Sequence, residues 1–379
     1  MIFNRYVIGF SLLLILCKCV NPSHEIIDEN LRSNYEIKAE LFGFDDDTKF
    51  YLVDIDDAIV DSAVIKDHKF KMQGKIKDEP AYFSLQTTID NKLIYTTLLI
   101  KNEHLTIKAH LSDFPWNVRT CGSPIDSTYR KALSLTKSLD QKRDSLIFNF
   151  IELPFAEQET IKSSYLKSVQ AIDSLIELKT LDYIKNNQTY ASILKLYYYK
   201  NIMPKDSVKV IYDTYNKELK LSRFGQVIKN YLESNQIEIG DQYLDFQALD
   251  QLNNSASLSN LGLSDKYILI NYTSAHCGFC IEASNELIMI HNKYKNNLNI
   301  VSFSADAQEN DWKISVERDG NLWTSLWDGE GRNSKTAFSY NFMATPTFLL
   351  IDKDGRIIDR LVGYNKGKLA NMLEAHLLN

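Results

Sequence analysis

The sequence predicts a three-part chain: an α/β domain at the C-terminal end, with a central mixed sheet flanked by helices, preceded by an all-β domain and an all-α connector. Apolar and polar residues alternate at period two up to about residue 110, the period turns helical between about 127 and 236, and strand and helix patterns alternate from about 267 onward. A chain of 379 residues with 44% hydrophobic residues can fill more than one core, since single domains usually run to roughly 100–200 residues. The net charge of -6 and the scatter of basic residues create no field that gathers phosphates, so no nucleic-acid partner is expected.

Residues 1–19 read as an export signal: Arg5 supplies a positive charge, and Tyr6 to Leu16 form an apolar run that stops at Cys17, Lys18 and Cys19. The run is shorter than the roughly 20 apolar residues that span a bilayer, so an export signal is expected ahead of a membrane anchor, and the mature protein is expected to work outside the cytoplasm. Leu14-Ile15-Leu16-Cys17 resembles the lipobox of bacterial lipoproteins, whose cysteine becomes the lipidated first residue, although that pattern has a small residue at the place of Leu16. Lipidation at Cys17, with attachment to the membrane through the lipid, stands beside simple secretion and an uncleaved anchor. Without the leader, Cys121 stands alone and Cys277 with Cys280 forms a close pair, too few cysteines for a structural disulfide framework. Cys121 is expected as a small core residue, a reactive thiol being the alternative.

Residues 31–122 are expected to form a β-sandwich-like domain. Ile37, Ala39 and Leu41 alternate, Asp45-Asp46-Asp47 interrupts, and Phe50 to Val53 resumes the pattern. Phe70 with Met72, Tyr82 to Leu85, Leu93 to Ile100 and Leu105 to Ile107 continue it, and no His, Cys or carboxylate cluster here has ligand or catalytic spacing. Residues 123–238 read as a helical connector, in which Ile161, Tyr165, Val169, Ile172 and Ile176 fall on one helix face and Pro154 and Pro204 mark breaks. Tyr197-Tyr198-Tyr199 is expected in the core, with a peptide-docking surface as the other reading. The connector's expected role is to set the spacing or orientation of its neighbours.

In residues 239–379, Tyr267 to Asn271 is an apolar strand, Tyr272 to His276 a short connection, and Cys277-Gly278-Phe279-Cys280 opens a helix continued by Leu287, Ile290 and Tyr294. A cysteine at a helix N-terminus faces unpaired N–H groups and the positive end of the dipole, which favours its thiolate. Cys277 is therefore the expected nucleophile, and Cys280, one turn on, the group that attacks a mixed disulfide to close a Cys277–Cys280 disulfide. Ala344-Thr345-Pro346-Thr347 precedes the strand Phe348 to Ile351, then the turn Lys353-Asp354-Gly355 and the strand Ile357 to Leu361, and Pro346 is a candidate cis-proline.

Asn271 to Cys280, Thr345-Pro346-Thr347 and Ile351-Asp352-Lys353-Asp354-Gly355 resemble the TlpA/ResA branch of thioredoxin-like proteins, over roughly residues 239–379. Asp61-Ser62-Ala63-Val64, Lys69 to Gly74 and Cys121-Gly122-Ser123 resemble the β domain that often precedes such domains in the Gram-negative cell envelope. The resemblance implies a thiol-disulfide oxidoreductase that exchanges dithiol and disulfide with exported proteins, commonly as a reductant. Its electrons would come from a membrane or periplasmic thiol donor, and no cofactor is implied. It also implies that the Thr345 backbone, beside Pro346, binds the client segment around its cysteine, and that Trp312, Trp323 and Trp327 pack an extra strand and helix.

The departures from that pattern are specific. His276 stands where Trp is usual and either tunes Cys277 or faces solvent; Gly278-Phe279 lacks the common proline; Ala283 replaces a Glu, with Glu282 one position early. Asn271 stands where thioredoxin has a buried, proton-relaying Asp, which leaves water, Glu282 or His276 to carry the proton. A zinc half-site lacks two further ligands. A peroxiredoxin-like thiol peroxidase lacks the required proline, Ile270 being at its place although Ser274 matches, and a non-catalytic envelope binding protein would leave the cysteine pair without a task.

Overall fold

In Tyr35–Phe42 (β1) the buried residues are Tyr35, Ile37, Ala39 and Leu41, the alternation of a strand with one face on a core. The computed structural model describes residues 34–77, 80–261 and 265–377; the expected export signal and Cys17 lie outside them. After β1 come Lys49–Asp54 (β2), Ile59–Val64 (β3), Lys69–Gly74 (β4), Ala81–Ile89 (β5), Lys92–Ile100 (β6), His104–His110 (β7) and Arg119–Cys121 (β8). They form two four-stranded sheets, ordered β4-β1-β7-β8 and β3-β2-β5-β6. Ile37 and Leu41 of the first and Leu52, Leu85 and Leu98 of the second share one core, the packing of a sandwich.

Cys121 departs from its expected place in the core. It is exposed, because β8 is a three-residue edge strand with no fully buried position.

Seven helices follow: Pro124–Ser134 (α1), Lys137–Ile151 (α2), Phe155–Asn186 (α3), Tyr190–Tyr199 (α4), Lys205–Thr214 (α5), Lys217–Leu221 (α6) and Arg223–Glu233 (α7). Pro154 and Pro204 stand at the N-caps of α3 and α5, where a missing N–H and a fixed φ do no harm. The apolar stripe of α3 packs along α2 in a helical hairpin, with Tyr165 stacked on Phe150 at 3.9 Å and Ile172 buried. Ile161, nearer the hairpin tip, is exposed. Tyr197 lies in the core, Tyr199 is half-buried, and Tyr198 is 49% exposed, so the tyrosine cluster divides between the two readings. The helical core also takes in Leu99 from β6 and Phe338 from the C-terminal part of the chain, so these helices join both neighbours through shared apolar packing.

The last part contains Gln247–Asp250 (β9), Ser255–Ser257 (β10), Tyr267–Thr273 (β11), Gly278–Tyr294 (α8), Leu298–Ser304 (β12) and Glu309–Arg318 (α9). It ends with Thr324–Trp327 (β13), Lys335–Ser339 (α10), Thr347–Ile351 (β14), Ile357–Val362 (β15) and Lys368–Leu377 (α11). The seven-stranded sheet runs β10-β9-β13-β12-β11-β14-β15. It is mixed, as expected: β11, β12 and β13 are parallel, while β14, β15 and β9 pair antiparallel.

Because β11 is covered on both faces, it reads as a nearly continuous apolar run. Its alternate residues enter two cores: Ile268, Ile270 and Tyr272 go to one, Leu269 to the other with Leu287 and Ile290 of α8. Period two then puts Asn271 and Thr273 on the α8 side. Trp312 and Trp327 stack at 5.2 Å, and the indole N–H of Trp323 donates to Ser302 at 2.9 Å, so all three pack as expected.

Candidate active site

The connection from β11 to α8 is held from beneath by Asp306, at the end of β12. Its carboxylate accepts the Ser274 hydroxyl at 2.8 Å, the Ala275 N–H at 3.1 Å and the Ser304 hydroxyl at 2.9 Å. That anchor presents Cys277 as the N-cap of α8, with extended backbone (φ -78, ψ 113) and its sulfur accepting the Cys280 N–H at 3.4 Å. Gly278 leaves open space where a Cβ would stand, and Phe279 is 59% exposed, so the outer side of the first turn is accessible to another molecule.

Both cysteines are thiols in this structure, and their environments push them apart. Burial pushes the Cys277 thiol up, but hydrogen bonds from the Cys280 thiol, from Thr345 and from the N–H groups of Cys280 and Phe279 outweigh it and hold Cys277 below the ordinary thiol range. Burial, followed by the bond to Cys277, pushes Cys280 up to about 11, against the opposing pull of the Ser274 N–H and the Thr273 hydroxyl. Of the two, the outer sulfur is the one that ionises first as pH rises. The Thr345–Pro346 peptide is cis, and the Thr345 carbonyl oxygen lies 3.5 Å from the Cys277 sulfur. Thr345 and Pro346 thus lie beside the cysteine pair.

Other expected tuning residues are placed differently. The imidazole of His276 is turned to Asp311 at 3.0 Å and is largely exposed, so it is not among the hydrogen-bonding partners of Cys277; the carboxylate at the start of α9 draws it outward. Glu282 lies on the outer face of α8, in a groove with Glu286 and Tyr364, because helical spacing turns it away from the cysteines. Asn271 is buried and donates to the Ser302 hydroxyl at 3.1 Å, within the interior behind the pair.

Two groups of neighbours come from remote sequence. A cleft of about 220 Å³ opens beside Cys277, walled by Ile55, Asp56 and Asp57 of the β2–β3 turn, by Tyr197 of α4 and by His276, Arg332 and Asn333. Arg223 bonds Asp56, and the Tyr197 hydroxyl accepts from the Asn333 amide at 3.0 Å, so the wall is tied to the rest of the chain. Behind Cys280, Arg318 at the end of α9 reaches the β11–α8 connection, and the adjoining Asp319 accepts from Arg318 and from Ser284 of α8. Neither group carries a local spacing that points to the cysteines. Among the described residues no group of three or more His, Cys, Asp or Glu is placed to hold a metal ion.

Residues 255–377 match the family described as a thioredoxin-like domain. The C-terminal part of this chain is a thioredoxin-like domain. Residues 35–129, the β-rich part with the start of α1, match a domain of unknown function, DUF4369. Among solved structures, the chain is similar to the thioredoxin domain of a thiol-disulfide oxidoreductase from Bacteroides vulgatus, at 25% identity and a TM-score of 0.34, covering 38% of this chain and 100% of that one. It is also similar to a thiol:disulfide interchange protein from a Bacteroides species, at 25% identity and a TM-score of 0.34, over 38% of this chain and 92% of that one. No curated protein matches.

Proposed function

We propose that this protein is a thiol-disulfide oxidoreductase that works as a reductant of exported proteins in the cell envelope. One observation carries the reading: two cysteines one helical turn apart at the start of α8, the outer held below the ordinary thiol range and the inner pushed up to about 11. Such a pair supplies a thiolate to attack and a protected thiol to finish.

In the proposed cycle the Cys277 thiolate attacks a client disulfide, one client sulfur leaves as a thiolate, and a Cys277–client disulfide forms. Cys280 loses its proton to solvent and attacks the Cys277 sulfur. The Cys277–Cys280 bond forms as the client bond breaks, so the client gains two electrons and the pair is oxidised. The segment around the client cysteine would pair with the Thr345 backbone beside Pro346, and Phe279 would form its apolar rim. A membrane or periplasmic thiol donor would restore the dithiol, and a lipid on Cys17 would keep the protein at the membrane.

The equilibrium potential of the Cys277/Cys280 couple against a glutathione or dithiothreitol buffer, read by alkylation, tests this. A value around -250 mV or lower is expected; a value near about -120 mV, that of a strong disulfide donor, would reverse the direction of electron flow.

A further inference from the structure

The deep side of Cys280 is built from polar groups that an apolar domain core does not require. Thr273 is 1% exposed on the α8 side of β11, the side on which Cys280 is buried, and its hydroxyl and the Ser274 N–H are the groups that pull the Cys280 thiol down against its burial. Arg318 holds both of those residues: one terminal nitrogen donates to the Thr273 hydroxyl oxygen at 3.0 Å, and the other donates to the Ser274 carbonyl at 3.0 Å. The third arm of the guanidinium, Nε, donates to Asp319 at 2.9 Å. Asp319 is itself buried, and it accepts the Ser284 hydroxyl of α8 at 2.8 Å and, at 3.4 Å, the Ser302 hydroxyl of β12, the group to which Asn271 donates.

A threonine hydroxyl has one proton and two lone pairs. With an Arg318 N–H on the oxygen, the proton is directed away from the guanidinium and is available to the Cys280 sulfur. The planar fork of arginine fixes both residues at once, which a lysine ammonium would not do. Arg318 is thus connected to the surroundings of Cys280 through Thr273 and Ser274, with Asp319 as its counter-ion.

We propose that Arg318 is a positioning residue for the second step of exchange: it aims the Thr273 hydroxyl and fixes the Ser274 connection so that both stabilise the Cys280 thiolate as it forms. This deepens the exchange reading above and rests on it. The groups around Cys280 that carry charge or titrate are Cys277 on its own helix, Arg318 with Asp319 at the end of α9, and Asp306 beyond Ser274 at the end of β12. Asn271 cannot titrate, Glu282 is turned away and His276 is engaged by Asp311, so in this fold the cost of ionising Cys280 is met by fixed donors. The proton of Cys280 passes to solvent, the electron pair on its sulfur forms the bond to Cys277, and the client sulfur leaves with the pair from the broken bond.

The test uses the full chain carrying Cys17→Ser, Cys19→Ser and Cys121→Ser, so that only the pair can react, reduced and mixed with the chromogenic disulfide dithiobis(nitrobenzoate). Attack by Cys277 releases the first coloured thiolate, and attack by Cys280 releases the second, so the two phases separate the two sulfurs. In Thr273→Val the second phase is expected to slow roughly ten- to a hundredfold, the loss of one hydrogen bond to a charged group. Its pH midpoint should rise by about one to two units, with the first phase retained. Thr273→Ser, which keeps the hydroxyl, should restore the rate, and Arg318→Gln should slow the second phase while leaving Cys277 alkylation in place. A second phase unchanged in Thr273→Val, or slowed equally in Thr273→Ser, or both phases slowed together, overturns the proposal. Wild-type protein that releases no second equivalent removes the exchange reading itself, a different failure.

Discussion

The two sides of the cysteine pair are made from different parts of the chain. In front of Cys277 the walls are a turn of the β domain, a tyrosine of the helices and loops of the thioredoxin-like domain, enclosing about 220 Å³. That is smaller than the roughly 300–1,000 Å³ of a typical small-molecule pocket. Behind Cys280 every contributing residue belongs to the thioredoxin-like domain and is tied by hydrogen bonds between Asn271, Ser302, Asp319, Arg318 and Thr273. The interior side can therefore be the same whatever precedes the domain, whereas the outer side is specific to this three-part chain. The first sets the chemistry of the sulfurs, and the second sets what reaches them.

The sharpest break of that division is Cys277→Ser, made with Cys17, Cys19 and Cys121 already replaced by serine, which should remove both phases of nitrothiobenzoate release; release that persists would place the nucleophile elsewhere. Next, Cys280→Ser should stop after one equivalent and leave a mixed disulfide visible by mass spectrometry, because nothing else among the described residues is placed to resolve it. Double replacement also separates exchange from binding, since a pure binding function would survive it.

The third expectation concerns pH. Iodoacetamide alkylation of Cys277 should titrate below the ordinary thiol range, and that of Cys280 at about 11. Linkage then follows for the reduced protein. The folded state holds the Cys280 proton more tightly than the unfolded state does, so the stability from this group is complete below the ordinary thiol value. It is lost as pH rises from there through about 11. The urea midpoint of the reduced protein should fall over that window, and that of Cys280→Ala should not show this loss.

The smallest expected effect tests the outer wall. Arg223→Gln removes the partner of a half-buried Asp56 and should cost about 1 kcal/mol in a urea melt. Both release phases with the small reagent should be unchanged, since the interior side of the pair is untouched.

These two sides also differ in how much the sequence reveals. Cys277, Cys280 and Pro346 are legible because the chemistry requires them in a local order, strand then Cys-x-x-Cys then helix, and proline at a strand start. The three-part architecture is legible for a similar reason: period two in β1, the helical stripe of α3 and the apolar run of β11 are local patterns. Arg318 acts on Ser274 from 44 residues away, and Asp56 meets Arg223 across 167 residues, so neither has a spacing to detect. The expected tuning roles of His276 and Glu282 rested on nearness in sequence. One residue of helical rotation turns Glu282 outward, and Asp311, on another helix, takes His276. Cys121 was misplaced for a related reason: residue type favours burial, but an edge strand of three residues offers no interior.

Phe338 sits in the core of the helices although it belongs to the thioredoxin-like domain, where Tyr231 meets its ring edge-on at 5.6 Å. During synthesis from the N-terminus the helical core is thus made long before the side chain that completes it. The ring that completes the helical core and the wall opposite Cys277 both lie where the thioredoxin-like domain meets the parts of the chain before it, so one junction serves both the packing of the helices and the guarding of the dithiol.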